Sequence, residues 1–154
     1  MPLRLSSRYI LLPAAALLAA TAIGAWAAAP KDLVHYRQHA LGTMGFHFSE
    51  LGAMVKGKKP FDPKEAQLRA AHVAYLAKLP WEGFTPETKG LKPSDAKEAL
   101  WSHMDDFKEK AQAFEQAADA LAEAAKTGDK QQFTAQFLKT AKTCESCHDR
   151  YRVE

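Results

Sequence analysis

Only two cysteines occur among the 154 residues, Cys144 and Cys147. Without a second pair, a closed four-ligand zinc site lacks its ligands. No stretch alternates apolar and polar residues with a period of two, so no sheet is expected. Charge of one sign is not concentrated either. Arg4 and Arg8 sit in the N-terminal leader, and the remaining Lys and Arg stand nearly level with 18 acidic residues, interspersed with them. Lacking a dense basic stripe, the chain has no expected nucleic-acid partner. The six histidines are scattered. His35 and His39 are four apart, but with no third ligand evident they read as a solvated helix face. Internal repeats, low-complexity tracts beyond the leader and a second domain are also missing.

Long apolar runs are confined to the start. Arg4 and Arg8 precede "ILLPAAALLAATAIGA", and "AWAAAP" supplies small residues at the spacing a signal peptidase cuts. The leucine-rich part is short for a membrane span of about 20 residues. Residues 1–27 are therefore read as a cleaved export signal and residues 28–154 as one mature domain, large enough to bury a core.

Four amphipathic segments fill that domain. In the first, Arg37, Leu41, Met44, Phe48, Leu51 and Val55 alternate four and three apart, a helical stripe. The second opens with Asp62 as cap, Pro63 at the first helical position and Glu65 closing a capping box. Its inner face is expected at Leu68, His72, Tyr75, Leu76 and Leu79. A loop rich in proline and glycine, "PWEGFTPETKGLKP", follows. The third helix is expected from near Ser94, with Leu100, Met104, Phe107, Ala111, Phe114, Ala118, Leu121 and Ala125 inward. Gly128 stops it and Asp129 caps the fourth, whose stripe is Phe133, Phe137, Thr140, Cys144, Cys147 and Tyr151. Together these predict an all-α, antiparallel four-helix bundle.

Both cysteines thus fall on the inner stripe of the last helix, in "KTCESCHDRYRVE". An i, i+3 pair on a helix is poorly placed for a disulfide, and a thioredoxin-type dithiol belongs beside a strand that is missing here. Cys-x-x-Cys-His in an exported chain instead fits covalent haem c. The two thiols would add to the vinyl groups and His148 would bind iron.

With "YRQHAL" in the first segment and "LPWEGF" before the third, "CESCHDRYR" makes the chain resemble cytochrome c′, the class II c-type cytochromes, over essentially the whole mature domain. That resemblance implies a periplasmic haem protein rather than an enzyme, usually a homodimer, that binds nitric oxide and carbon monoxide. Some members carry electrons, which would require a periplasmic redox partner. Arg37 lies on an apolar stripe where a cation is costly unless paired. No inner acid matches it, and both chemistry and resemblance point to a haem propionate. Leu41 occupies the place where six-coordinate relatives carry a ligating methionine, so the iron is expected to be five-coordinate under a hydrocarbon cover. Phe84 resembles the family's distal aromatic, with Trp81 nearby, and Arg152 its proximal arginine. Met44, three residues after Leu41, is the competing axial ligand; if bound, it would make the chain an electron carrier. The family also implies a dimer through the first two helices, for which Phe46 and Met54 supply apolar residues off the inner stripe.

Overall fold

The computed structural model describes residues 28–153. The expected signal segment and its cleavage after Ala27 lie outside the described residues. Helix α1 runs Pro30–Val55, α2 Pro63–Leu76, a short α3 Ala99–Ser102, α4 Met104–Lys126 and α5 Lys130–Tyr151. The four long helices form a closed ring of neighbours, α1 on α2, α2 on α4, α4 on α5 and α5 on α1. This is the expected four-helix bundle. Among the described residues, the sole strand-like pairing is one antiparallel bridge between Ala96 and Arg152.

Local chemistry sets the helix ends. Asp62 accepts from the Lys64 and Glu65 amides, and Pro63 follows it. Asp129 caps α5 in the same way, accepting from the Gln131 and Gln132 amides, after Gly128 has taken a positive φ of 70°. The capping box is only half formed. Glu65 turns outward to Lys59 at 2.7 Å and Arg69 at 2.7 Å, because two cations outbid a single backbone amide for its carboxylate.

The stripes of α4 and α5 pack as expected. Phe107, Ala111, Phe114, Ala118, Leu121 and Ala125 are buried on α4, and Phe133, Phe137, Thr140 and Tyr151 on α5. Thr140 is tolerated inside because its hydroxyl donates within 3.0 Å of the Ala117 and Gln136 carbonyls.

Three expectations are corrected. The inner face of α2 is Ala66, Ala70, Val73 and Ala74, continuing to Ala77, whereas Leu68, His72 and Tyr75 are exposed and Leu76 and Leu79 only half-buried. Short side chains let α2 approach both α1 and α4 closely, which longer leucines would prevent. Residues 94–97 form a loop rather than the start of a helix, and the long helix begins ten residues after Ser94, at Met104. Met54 is fully buried, so of the two off-stripe residues only Phe46 remains exposed, at 58%.

Candidate haem site

One end of the bundle holds a half-open cavity of about 520 Å³, within the usual range for a small-molecule or cofactor pocket. All seven expected site residues line it: Arg37 and Leu41 from α1, Phe84 from the loop, and Cys144, Cys147, His148 and Arg152 from α5 and its end. Met44, Phe48, Trp81, Phe107 and Tyr151 add further apolar wall.

The loop wall is built on close backbone approach. Pro80–Gly83 forms one 3₁₀ turn against α1, and a Cβ on Gly83 would stand 2.8 Å from the Leu33 carbonyl oxygen and 2.9 Å from Arg37 Cβ. Only glycine fits. The turn presents Trp81, whose indole donates to the Ala77 carbonyl at 2.6 Å, and Phe84, whose ring centroid lies 4.8 Å from that of Phe107. The strand-like stretch before α3 is fastened to the end of α5: the Lys97 amide donates to the Tyr151 carbonyl at 2.8 Å and the Val153 amide to the Asp95 carbonyl at 2.7 Å. This clasp holds the C-terminal end of the Cys-x-x-Cys-His helix against the loop.

Arg37 is 1% exposed and does not reach solvent. Uncharged acceptors of the following loop meet it. Nη1 donates to the Gly83 carbonyl at 2.6 Å and to Thr88 Oγ1 at 2.8 Å, and Nη2 to Ser94 Oγ at 2.9 Å. The guanidinium also lies 4.3 Å from the centroid of the Phe84 ring. These partners are neutral. Among the described residues no carboxylate pairs with it, so its charge stays uncompensated, and burial alone pulls its pKa down. The guanidinium both organises the loop and leaves a positive potential at the cavity wall.

On α5 the two cysteines are reduced and half-buried. Burial, and secondarily the neighbouring Cys147, push the Cys144 thiol up to about 11, and burial raises Cys147 as well. Burial, with Arg152 beside it, lowers the His148 pKa and favours the neutral imidazole, the form able to ligate a metal. Arg152 Nη2 lies 3.6 Å from Asp95 Oδ2, and His148 and Arg152 also line a smaller cleft with Lys97 and Asp149. Tyr151 closes the floor. It is 2% exposed, and its hydroxyl donates to Asp106 Oδ2 at 2.5 Å.

The spacing of two thiols and an imidazole on one wall, facing an apolar chamber with an unpaired buried cation, fits a flat, largely apolar macrocycle bearing acidic substituents. The fold and site define a helical-bundle c-type haem protein. Comparison with known proteins gives the family: the cytochrome c′ family profile matches residues 32–152, and the chain belongs to that family, whose cofactor is haem c, carried by the Cys144/Cys147 pair. Cytochrome c′ of Rubrivivax gelatinosus is 41% identical over 123 residues, covering 80% of this chain and 95% of that one. The structure of cytochrome c′ from Shewanella frigidimarina aligns with a TM-score of 0.79 at 40% identity, covering 82% and 98% of the two chains. A leucine-to-isoleucine variant of the Alcaligenes xylosoxidans protein, solved as its nitric oxide complex, aligns with a TM-score of 0.75 at 37% identity, covering 82% and 98%.

Thr88, Ser94, Phe107 and Tyr151 contribute to the site without having been singled out for it. Phe107 and Tyr151 were legible as inward positions on their stripes. Nothing in the sequence marks Thr88 or Ser94 as partners of an arginine more than fifty residues away.

Proposed function

We propose that the protein is a periplasmic, non-enzymatic haem protein that keeps its iron five-coordinate in order to take up nitric oxide or carbon monoxide. The observation that carries this reading is the composition of the α1 wall. Leu41 stands in the cavity one turn beyond Arg37, and its neighbours Phe48, Trp81 and Phe84 are hydrocarbon or aromatic. In this reading Cys144 and Cys147 would hold the macrocycle through thioethers, His148 would offer its neutral imidazole to iron, and Leu41 would line the gas-binding space with hydrocarbon. The group they hold supplies a metal that binds neutral diatomics. Arg37 meets a propionate while keeping the loop in place, and Phe84 and Arg152 bound the two faces. Arg37, one turn from Leu41, is committed to Gly83, Thr88 and Ser94, and among the described residues lining the cavity the sole histidine is His148, so no free group beside Leu41 polarises oxygen or helps cleave peroxide. An apolar cover also disfavours water and anions, which lose hydration on entry. Nitric oxide bound to a cytochrome c′ relative supports the choice of ligand.

Export rests on the leader in residues 1–27. Among the described residues no helix is long and apolar enough to cross a membrane. Assembly as a homodimer through α1 and α2 is supported by three large side chains exposed on those helices, Phe46, Leu68 and Tyr75, more than a lone monomer needs to leave in water.

The second reading, an electron carrier, is favoured by one observation: Met44 is buried and lines the same cavity, and a thioether is a competent axial ligand. Absorption spectra of the reduced protein with and without carbon monoxide decide between them. A high-spin ferrous spectrum that shifts with the gas is expected. A low-spin spectrum indifferent to it would replace gas binding with electron transfer through a Met44-ligated iron and a periplasmic redox partner.

A further inference from the structure

We infer that His47 and His72 make pairing of the chain with a second copy of itself proton-sensitive. Two copies associate through the α1–α2 face while both histidines are neutral, and separate once they are charged. Such control rests on the homodimer reading proposed above. The rings meet across the seam between the helices, His47 from α1 and His72 from α2, with centroids 4.6 Å apart. They sit among the exposed apolar side chains. The Phe46 ring stands edge-on to His47 at 5.5 Å. His72 follows Leu68 by one turn and precedes Tyr75 by another, which places all three on one side of α2.

At neutral pH the charges around this pair balance. Arg69 Nη1 lies 3.5 Å from His47 Nδ1, and its guanidinium is 5.5 Å from the Phe46 centroid. The same guanidinium pairs with Glu65 at 2.7 Å and Glu50 at 3.5 Å. Lys59, from the α1–α2 connection, bonds both of those carboxylates, at 2.7 Å and 3.1 Å. The two cations and the two acids are thus committed to each other. Among the described residues no carboxylate bonds to either histidine.

Protonation of the pair therefore adds positive charge beside Arg69 with no free counter-charge. A twofold contact presents the same patch from both partners, so the added charges face their own copies across it. Burial, then His72 and Arg69, already hold His47 below its usual titration range in the single chain. A second copy laid over the patch deepens that burial. The dimer thus holds fewer protons than two separate chains, and association weakens as pH falls through the histidine range.

Sedimentation velocity of the haem-loaded protein tests this at about pH 7.5 and about pH 5.5, either side of the usual histidine value. Ionic strength is held constant, and circular dichroism verifies the helical fold at both. One proton expelled per dimer changes the dissociation constant by up to about tenfold per pH unit, so the wild-type constant should rise about tenfold on acidification. The His47→Gln/His72→Gln protein should dimerise with a constant that hardly moves between the two pH values. His35 and His39, which stack on each other earlier along α1, give the comparison: a His35→Gln/His39→Gln protein should respond as wild type does. A pH-indifferent wild-type dimer, a full response in the His47→Gln/His72→Gln protein, or its loss in the His35→Gln/His39→Gln protein would overturn the assignment and leave the dimer standing. A wild-type chain that is monomeric at both pH values would remove the homodimer itself, and its control with it.

Discussion

A methyl group at position 83 is the smallest change that should disturb both the bundle and its site. In Gly83→Ala the new Cβ would approach the Leu33 carbonyl oxygen to 2.8 Å and Arg37 Cβ to 2.9 Å. The first is helix backbone and the second is fixed to it, so neither can swing aside. Overpacking of this sort costs about 1–3 kcal/mol. If the turn retreats instead, it stretches the 2.6 Å bond from Arg37 Nη1 to the Gly83 carbonyl, and a hydrogen bond from a charged donor contributes about 1.5–3 kcal/mol. Relief of one strain incurs the other, so the loss should be roughly 1–3 kcal/mol. Urea unfolding of the haem-loaded protein measures it as a lower midpoint at unchanged slope. Because Trp81 and Phe84 flank Gly83, carbon monoxide kinetics should change as well. A Gly83→Ala protein within about 0.5 kcal/mol of wild type would refute the argument that this contact requires glycine.

Leu41→Ala should open the cavity and speed carbon monoxide binding in flash photolysis, with a stability loss of about 2–5 kcal/mol if the space does not collapse; Leu41→Met should instead move the ferrous iron toward a low-spin spectrum. Haem should remain with the wild-type chain in acidified organic solvent, and Cys144→Ala should weaken that retention, which a denaturing gel stained for haem reads directly. The bond from Tyr151 holds the Asp106 carboxyl below its usual range, with Arg150 assisting. A depressed carboxyl stabilises the fold above its unfolded value, near pH 4, and loses that contribution as pH falls through the folded value. Wild type should therefore exceed Tyr151→Phe in urea midpoint at pH 6, with the gap narrowing below about pH 4; a constant gap down to acid unfolding would show that the ionised pair is irrelevant. Sedimentation across a dilution series should show a dimer, and Tyr75→Lys, on the exposed face of α2, should dissociate it while circular dichroism still shows the helical fold.

Large side chains made most of this molecule legible. Phe107, Phe114, Phe133, Phe137 and Leu121 announce their helix faces, and Cys-x-x-Cys-His on such a stripe placed the cofactor end before any coordinates. Helix α2 misled because its buried face is alanine. Ala66, Ala70, Ala74 and Ala77 carry little hydrophobic signal, while Leu68 and Tyr75, turned outward, carry much. The late start of α4 has a related cause: Leu100 falls on the helical period yet belongs to the separate short turn α3. For Arg37, the sequence showed the cost of burying a cation but not what offsets it. Its acceptors on Gly83, Thr88 and Ser94 come from a loop whose path depends on the finished packing of α1.

The half-buried cysteines have a consequence for the order of events during maturation. A thiol with a pKa of about 11 is almost wholly protonated at neutral pH, and it is the thiolate that reacts. The clasp between residues 95–97 and the end of α5 holds the helix docked with both half-buried cysteines lining the cavity. Completion of the fold therefore lowers the thiolate fraction available for coupling, which favours attachment while the last helix is still loose. Apoprotein refolded first and then offered haem should couple it more slowly than apoprotein offered haem in mild denaturant, so that the timing of attachment is written into the packing of α5.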